Sequence, residues 1–138
     1  MRMSLSDPRD ALVLTMVLAS AADGEMTDAE LARIGMQLTY LPAFEGWGDD
    51  RFDGVVKDCL GFFDQADGLT AALDHIRAVL PEHLRETAYA VACDMVAADG
   101  KASQEELRVL ELMRHALDIS RLHASAIEYG TRVRSMKP

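Results

Sequence analysis

Basic residues are scarce in this chain: 14 Lys and Arg stand against 23 Asp and Glu, for a formal net charge of −9. Phosphate-binding surfaces need clustered cations, so the balance argues against nucleic acid or an anionic membrane as a partner. It suits a cation, a basic protein or plain solubility. The one local basic excess is Arg132, Arg134 and Lys137 near the C-terminal end, where cations also complement a helix dipole. Cysteine is equally sparse. Cys59 and Cys93 stand apart in apolar runs and form no Cys-x-x-Cys pair, so both are expected as buried free thiols in a reducing compartment. No apolar run is long enough to span a bilayer. No stretch alternates with period two, so no strands are expected.

Several catalytic signatures are also missing. There is no Gly-rich phosphate loop, no nucleophile elbow, no Glu-x-x-His and no His-Glu-x-x-His. Of the four histidines, His83 shares a helix face with Glu86 and His115 with Glu111, spacings expected of surface pairs. Arg2, the apolar run 11–22 and the triplet Ala19-Ser20-Ala21 imitate a secretory signal. Asp7 and Asp10 stand where a positive segment belongs, and a matching run, 89–98, lies mid-chain. A core helix and a cytoplasmic protein are the expectation.

What remains is 138 residues, 49% of them hydrophobic, enough for one domain over 1–138 with a proper core. Its organising feature occurs twice. Residues 21–31, Ala-Ala-Asp23-Gly24-Glu-Met-Thr27-Asp-Ala-Glu30-Leu31, return 76 residues later as Ala-Ala-Asp99-Gly100-Lys-Ala-Ser103-Gln-Glu-Glu106-Leu107, with six of eleven positions identical. Each copy follows an apolar run and precedes an amphipathic one. Gly24 and Gly100 are suited to end helices in the left-handed conformation. Thr27 and Ser103, with Glu30 and Glu106 three residues on, have the spacing of capping boxes that start the next helices.

Taken in order, Asp7-Pro8 opens a first helix, apolar nearly all round and therefore central. The second carries Leu31, Ile34, Leu38 and Leu41 on one face. Pro42 and the stretch 44–48 form the longest irregular segment, where Trp47, between two glycines, is either a loop anchor folded onto the core or an exposed contact residue. Asp49 or Asp50 is placed to cap a third helix bearing Phe52, Val55, Val56, Cys59, Leu60 and Phe63. Leu69, Leu73, Ile76 and Leu80 mark a fourth, ended by Pro81. The fifth runs into the second Asp-Gly. The sixth turns Leu107, Leu110, Met113 and Leu117 inward, and the seventh Leu122, Ala126, Tyr129, Val133 and Met136. The fold class is thus all-α, with about seven helices: two pseudo-symmetric helix–loop–helix units, a helical insert between them and a closing C-terminal helix.

Helix capping leaves Asp23 and Asp99 unexplained. Both sit at helix C-termini, where the dipole is negative and a carboxylate is mildly unfavourable. One local reason is hydrogen bonding to loop N–H groups downstream. The other is a cation. The pattern Asp-Gly-x-x-[Ser/Thr]-x-x-Glu echoes the second half of an EF-hand loop, although the upstream Asp-x-Asp ligands are absent. Neither loop alone supplies the six to eight oxygens that calcium takes. Brought together, they would offer Asp23, Glu30, Asp99 and Glu106 to a divalent cation of Ca or Mg type.

Apolar helix, Ala-x-Asp-Gly, capping hydroxyl and Glu-Leu, repeated across an acidic all-helical chain, together resemble the TerB-type tellurite-resistance family. A related domain occurs in membrane-linked J-domain co-chaperones. The resemblance covers nearly the whole chain, and its specific part is the two loops. It implies a bacterial, cytoplasmic, non-enzymatic stress-response module that works through protein partners, with an acidic cluster at Asp23, Glu30, Asp99 and Glu106. Lys101 in place of Glu25, and Ala102 in place of Met26, depart from the first loop. An alternative reading makes the chain an interaction scaffold whose loops are only turns, with partners docking on exposed apolar surface near Trp47. A third makes it a small metal-dependent hydrolase using the same carboxylates.

Overall fold

The computed structural model describes residues 5–22, 25–98 and 100–138. Among these residues there are seven α-helices and no strands. They are α1 (Pro8–Ser20), α2 (Asp28–Tyr40), α3 (Phe52–Leu60), α4 (Gly68–Val79), α5 (Arg85–Ala97), α6 (Gln104–Ala116) and α7 (Arg121–Arg134). The all-α expectation holds. Among the described residues no helix is long and apolar enough to cross a membrane.

Every residue of α1 from Asp10 to Ser20 is buried, because the segment offers apolar or small side chains on all sides. It contacts α2, α3, α4, α5 and α6, and so forms the axis of the molecule. Asp7 caps it by accepting from the Arg9 N–H at 2.8 Å, and Pro8 takes the position that needs no donor. Thr15 is tolerated inside because its hydroxyl donates to the Ala11 carbonyl one turn back, at 2.8 Å.

Around α1 the other helices form two trios. α2 and α3 pack on α1, while α6 and α7 pack on α5, and α1 and α5 pack on each other. The third helix of the N-terminal trio therefore comes from the segment expected as an insert, leaving α4 as the added element against α1 and α6. The α5–α7 rungs Glu86–His123, Tyr89–Glu128 and Asp94–Thr131 advance in the same direction along both helices, so these two run parallel.

Local geometry departs from the helical reading in four places. Arg51, not Asp49 or Asp50, is the N-cap of α3 and makes no side-chain cap, since a 3₁₀ turn at Asp49–Arg51 leads straight into the helix. After α3 the chain tightens into a 3₁₀ turn, Gly61–Asp64. There Phe62 is buried, Phe63 packs partly buried against the core, and Leu60 is left outside. In α6 Leu110, Met113 and Leu117 face inward as expected, joined by Val109, while Leu107 is exposed. In α7 the inward residues are Ala124, Ile127 and Thr131, and the expected stripe faces solvent.

Gly68 opens α4 where no other residue fits. A Cβ there would lie 1.8 Å from the Phe62 carbonyl oxygen, in hard overlap with backbone.

Candidate acidic loop site

The helix starts that follow the two repeated loops have matching geometry. Thr27 Oγ1 accepts from the Glu30 N–H at 3.1 Å while Glu30 Oε1 accepts from the Thr27 N–H at 2.9 Å. Ser103 and Glu106 repeat this at 3.1 and 2.8 Å. Both capping boxes read from sequence are present. Each glutamate is half-buried and commits one carboxylate oxygen to its cap. Gly100 takes the left-handed conformation, φ 80°, and its N–H donates to the Ala97 carbonyl at 3.0 Å, closing α5.

Asp23, Gly24 and Asp99 lie outside the described residues. Among the described residues no three His, Cys, Asp or Glu side chains gather to hold a metal ion. The surroundings of the loops are visible. Ala22, the residue before Asp23, lines one surface groove with Gln104, Glu105, Leu107 and Arg108, which follow the Ser103 cap. The chain thus leaves α1 beside the first turns of α6.

The histidines resolve into individual roles. Glu86 pairs with His123 across α5 and α7, Oε2 to Nδ1 at 2.6 Å, rather than with its helix neighbour His83. His75 Nε2 donates to the Leu5 carbonyl at 2.7 Å, tying α4 to the chain start. Both thiols are buried. Desolvation holds the Cys93 pKa up at about 12 and raises that of Cys59 further, so neither is a thiolate at neutral pH. Burial likewise raises the Tyr89 pKa, and its hydroxyl donates to Glu128 at 2.5 Å. Asp94 sits at the core boundary, accepting from Thr131 Oγ1 at 3.1 Å and Arg134 Nη2 at 2.8 Å.

One charged group went unread in the sequence. Asp10 is 0% exposed, with Trp47 Nε1 donating to it at 3.2 Å and Arg51 Nη2 at 2.7 Å. Arg51 also stacks over the indole at 5.7 Å, and Phe44 meets the same ring edge-on at 5.4 Å. Trp47 is 7% exposed, so it anchors its loop and is no contact residue. A signal was available: an acid in the first turn of a helix otherwise apolar all round must find partners when that helix is buried.

Fold and loops together define a class: an all-helical domain in which two Asp-Gly junctions each feed a capped helix beside a central apolar one. The family described as Tellurite resistance protein TerB matches residues 9–128, and the chain belongs to it. No curated protein and no solved structure matches the chain.

Proposed function

We propose that this tellurite-resistance-type domain acts without catalysis, as a cytoplasmic stress-response module whose two Asp-Gly loops form one acidic site. In this reading Asp23, Glu30, Asp99 and Glu106 bind a divalent cation or the basic surface of a protein partner. The observation that carries it is the groove shared by Ala22 and the first turn of α6, which sets the residue before Asp23 beside the helix that the second loop starts. Two carboxylates ~4 Å apart repel by about 4 kcal/mol at an effective dielectric of 20. A cluster of four therefore favours a bound cation or raised carboxyl pKa values. Glu30 and Glu106 would each contribute the oxygen that the cap leaves over.

The alternative, loops that are turns and nothing more, draws support from the same caps, which employ Thr27, Glu30, Ser103 and Glu106 without any ligand. Calorimetric titration of chelator-treated protein with Ca²⁺, Mg²⁺, Mn²⁺ and Zn²⁺ separates the two. Sub-millimolar binding that disappears in Asp23→Asn/Asp99→Asn is the expected result. Binding that survives the double substitution, or none for any ion, leaves the loops as turns.

A further inference from the structure

α7 has two apolar faces, and the fold uses one. Ala124, Ile127 and Thr131 face the core. About 180° round the helix, at 100° per residue, stand Leu122, Ala126, Tyr129 and Val133, followed by Met136 just past its end. Leu122 is 75% exposed, Tyr129 60%, Val133 52% and Met136 75%. Within the helix, steps of 4, 3 and 4 make this a 3.5-residue seam, the spacing with which one helix packs knobs into the holes of another. Single exposed apolar residues need no explanation, but an aligned series on a helix already docked by its other face marks an interaction surface.

The charges beside the seam indicate the occupant. Residues 121–138 hold four cations, Arg121, Arg132, Arg134 and Lys137, and one carboxylate, Glu128, for a net +3; the other 120 residues therefore carry −12. Arg134 is engaged by Asp94 and Glu128 by Tyr89, which leaves Arg132 at the edge of the stripe and Arg121 and Lys137 at its two ends. Arg132 also lies over the Tyr129 ring at 5.2 Å, at the seam's edge. A second α7 laid on this one would oppose those cations with their own copies. A membrane surface is met by a broad apolar face, whereas this stripe is one side chain wide and belongs to a body of net −12.

We infer that α7 is a docking helix for an amphipathic helix of a partner protein whose apolar seam is flanked by carboxylates. The partner lies antiparallel or parallel along Leu122–Met136, its acids meeting Arg121, Arg132 and Lys137. The surface stands independently of any cation at the Asp-Gly loops.

The probe is a fluorescein-labelled three-heptad peptide with Leu and Ile in its seam and Glu on both flanks, titrated by anisotropy. The expected result is saturable binding, weakened by 0.5 M salt and at least about tenfold weaker for the same peptide with Lys flanks. Leu122→Lys/Val133→Lys, at two exposed positions, should keep the wild-type circular dichroism and lose at least about tenfold in affinity. No binding, equal binding of Glu and Lys peptides, or an unaffected double variant overturns the proposal. So does a wild-type dimer in sedimentation that the double variant dissolves, which would make a second copy the occupant. Binding to vesicles of three parts phosphatidylcholine to one of phosphatidylglycerol, with the peptide ignored, overturns it in favour of a lipid surface.

Discussion

Shifted by 76 residues, α1 falls on α5, and the two helices satisfy their acids in opposite ways. Asp10 and Trp47 shift onto Glu86 and His123, so each trio carries an acid at its central helix paired with a ring nitrogen 37 residues on. In the N-terminal trio the pair is sealed, and Arg51 is drawn in as a second donor. In the C-terminal trio it lies at the surface, both side chains more than half exposed. The contrast continues along the helices. Asp94 and Thr131 hydrogen-bond between α5 and α7, whereas the positions 76 residues earlier hold Leu18 and Val55, both buried. Both trios bury an apolar core; one adds a buried charge cluster at Asp10, the other a row of partly wet polar rungs. The same positional pair is thus expected to be worth different amounts, because desolvation and not residue identity sets its energy.

Removing the two acids breaks or sharpens that comparison most strongly. Asp10→Ala should cost about 3 kcal/mol, the lower edge for breaking a buried charged pair, because Arg51 is itself half exposed and can return to water. Glu86→Ala, at the matching surface pair, should cost less than about 1 kcal/mol and less still at high salt. Urea unfolding midpoints of the two variants decide it. Losses within about 1 kcal/mol of each other would show that burial does not separate the trios.

The sequence was legible where structure is local. The capping boxes and the left-handed Gly100 depend on residues within four positions of one another, and all were read correctly. Asp10 was not, because its partners stand 37 and 41 residues away and an acid in a first turn already has a local use against the helix dipole. Periodicity identified an apolar stripe on α7 without saying which way it faced. Its core-facing residues, Ala124, Ile127 and Thr131, are too small and polar to announce themselves beside Leu122, Tyr129 and Val133. At the candidate site, helix polarity singles out Asp23 and Asp99 in the sequence, and both lie outside the described residues. Whether they meet depends on how α1 and α5 deliver their ends, a tertiary property no spacing encodes.

The caps are where the two trios should agree. Thr27→Ala and Ser103→Ala each remove the acceptor for a backbone N–H at 3.1 Å, in capping boxes of matching geometry. Each should lose about 1 kcal/mol. Similar losses fit caps that act locally, whatever their trio. A loss at Ser103 more than about 1 kcal/mol from that at Thr27 would mean that one loop carries a constraint beyond its cap.

The smallest effect lies at the start of the central helices, where the trios differ again. Asp7 caps α1 with its side chain, whereas α5 begins at Arg85, and its N-cap, Leu84, ends a 3₁₀ turn and makes no side-chain cap. Arg9 donates to the Asp7 carboxylate from Nε at 3.1 Å and Nη2 at 2.9 Å, and these bonds hold its pKa below the ordinary 3.8. A depressed carboxyl stabilises the native state above its unfolded value, and the contribution fades as pH falls through the lowered native one. Asp7→Asn keeps a capping oxygen and removes the charge, so it isolates that contribution. The variant should be less stable than wild type by under about 1 kcal/mol at pH 7, since the pair is partly wet. The difference should persist down to about pH 4 and close below it. A gap that stays constant through that range would assign the effect to cap geometry and not to the Arg9 charge.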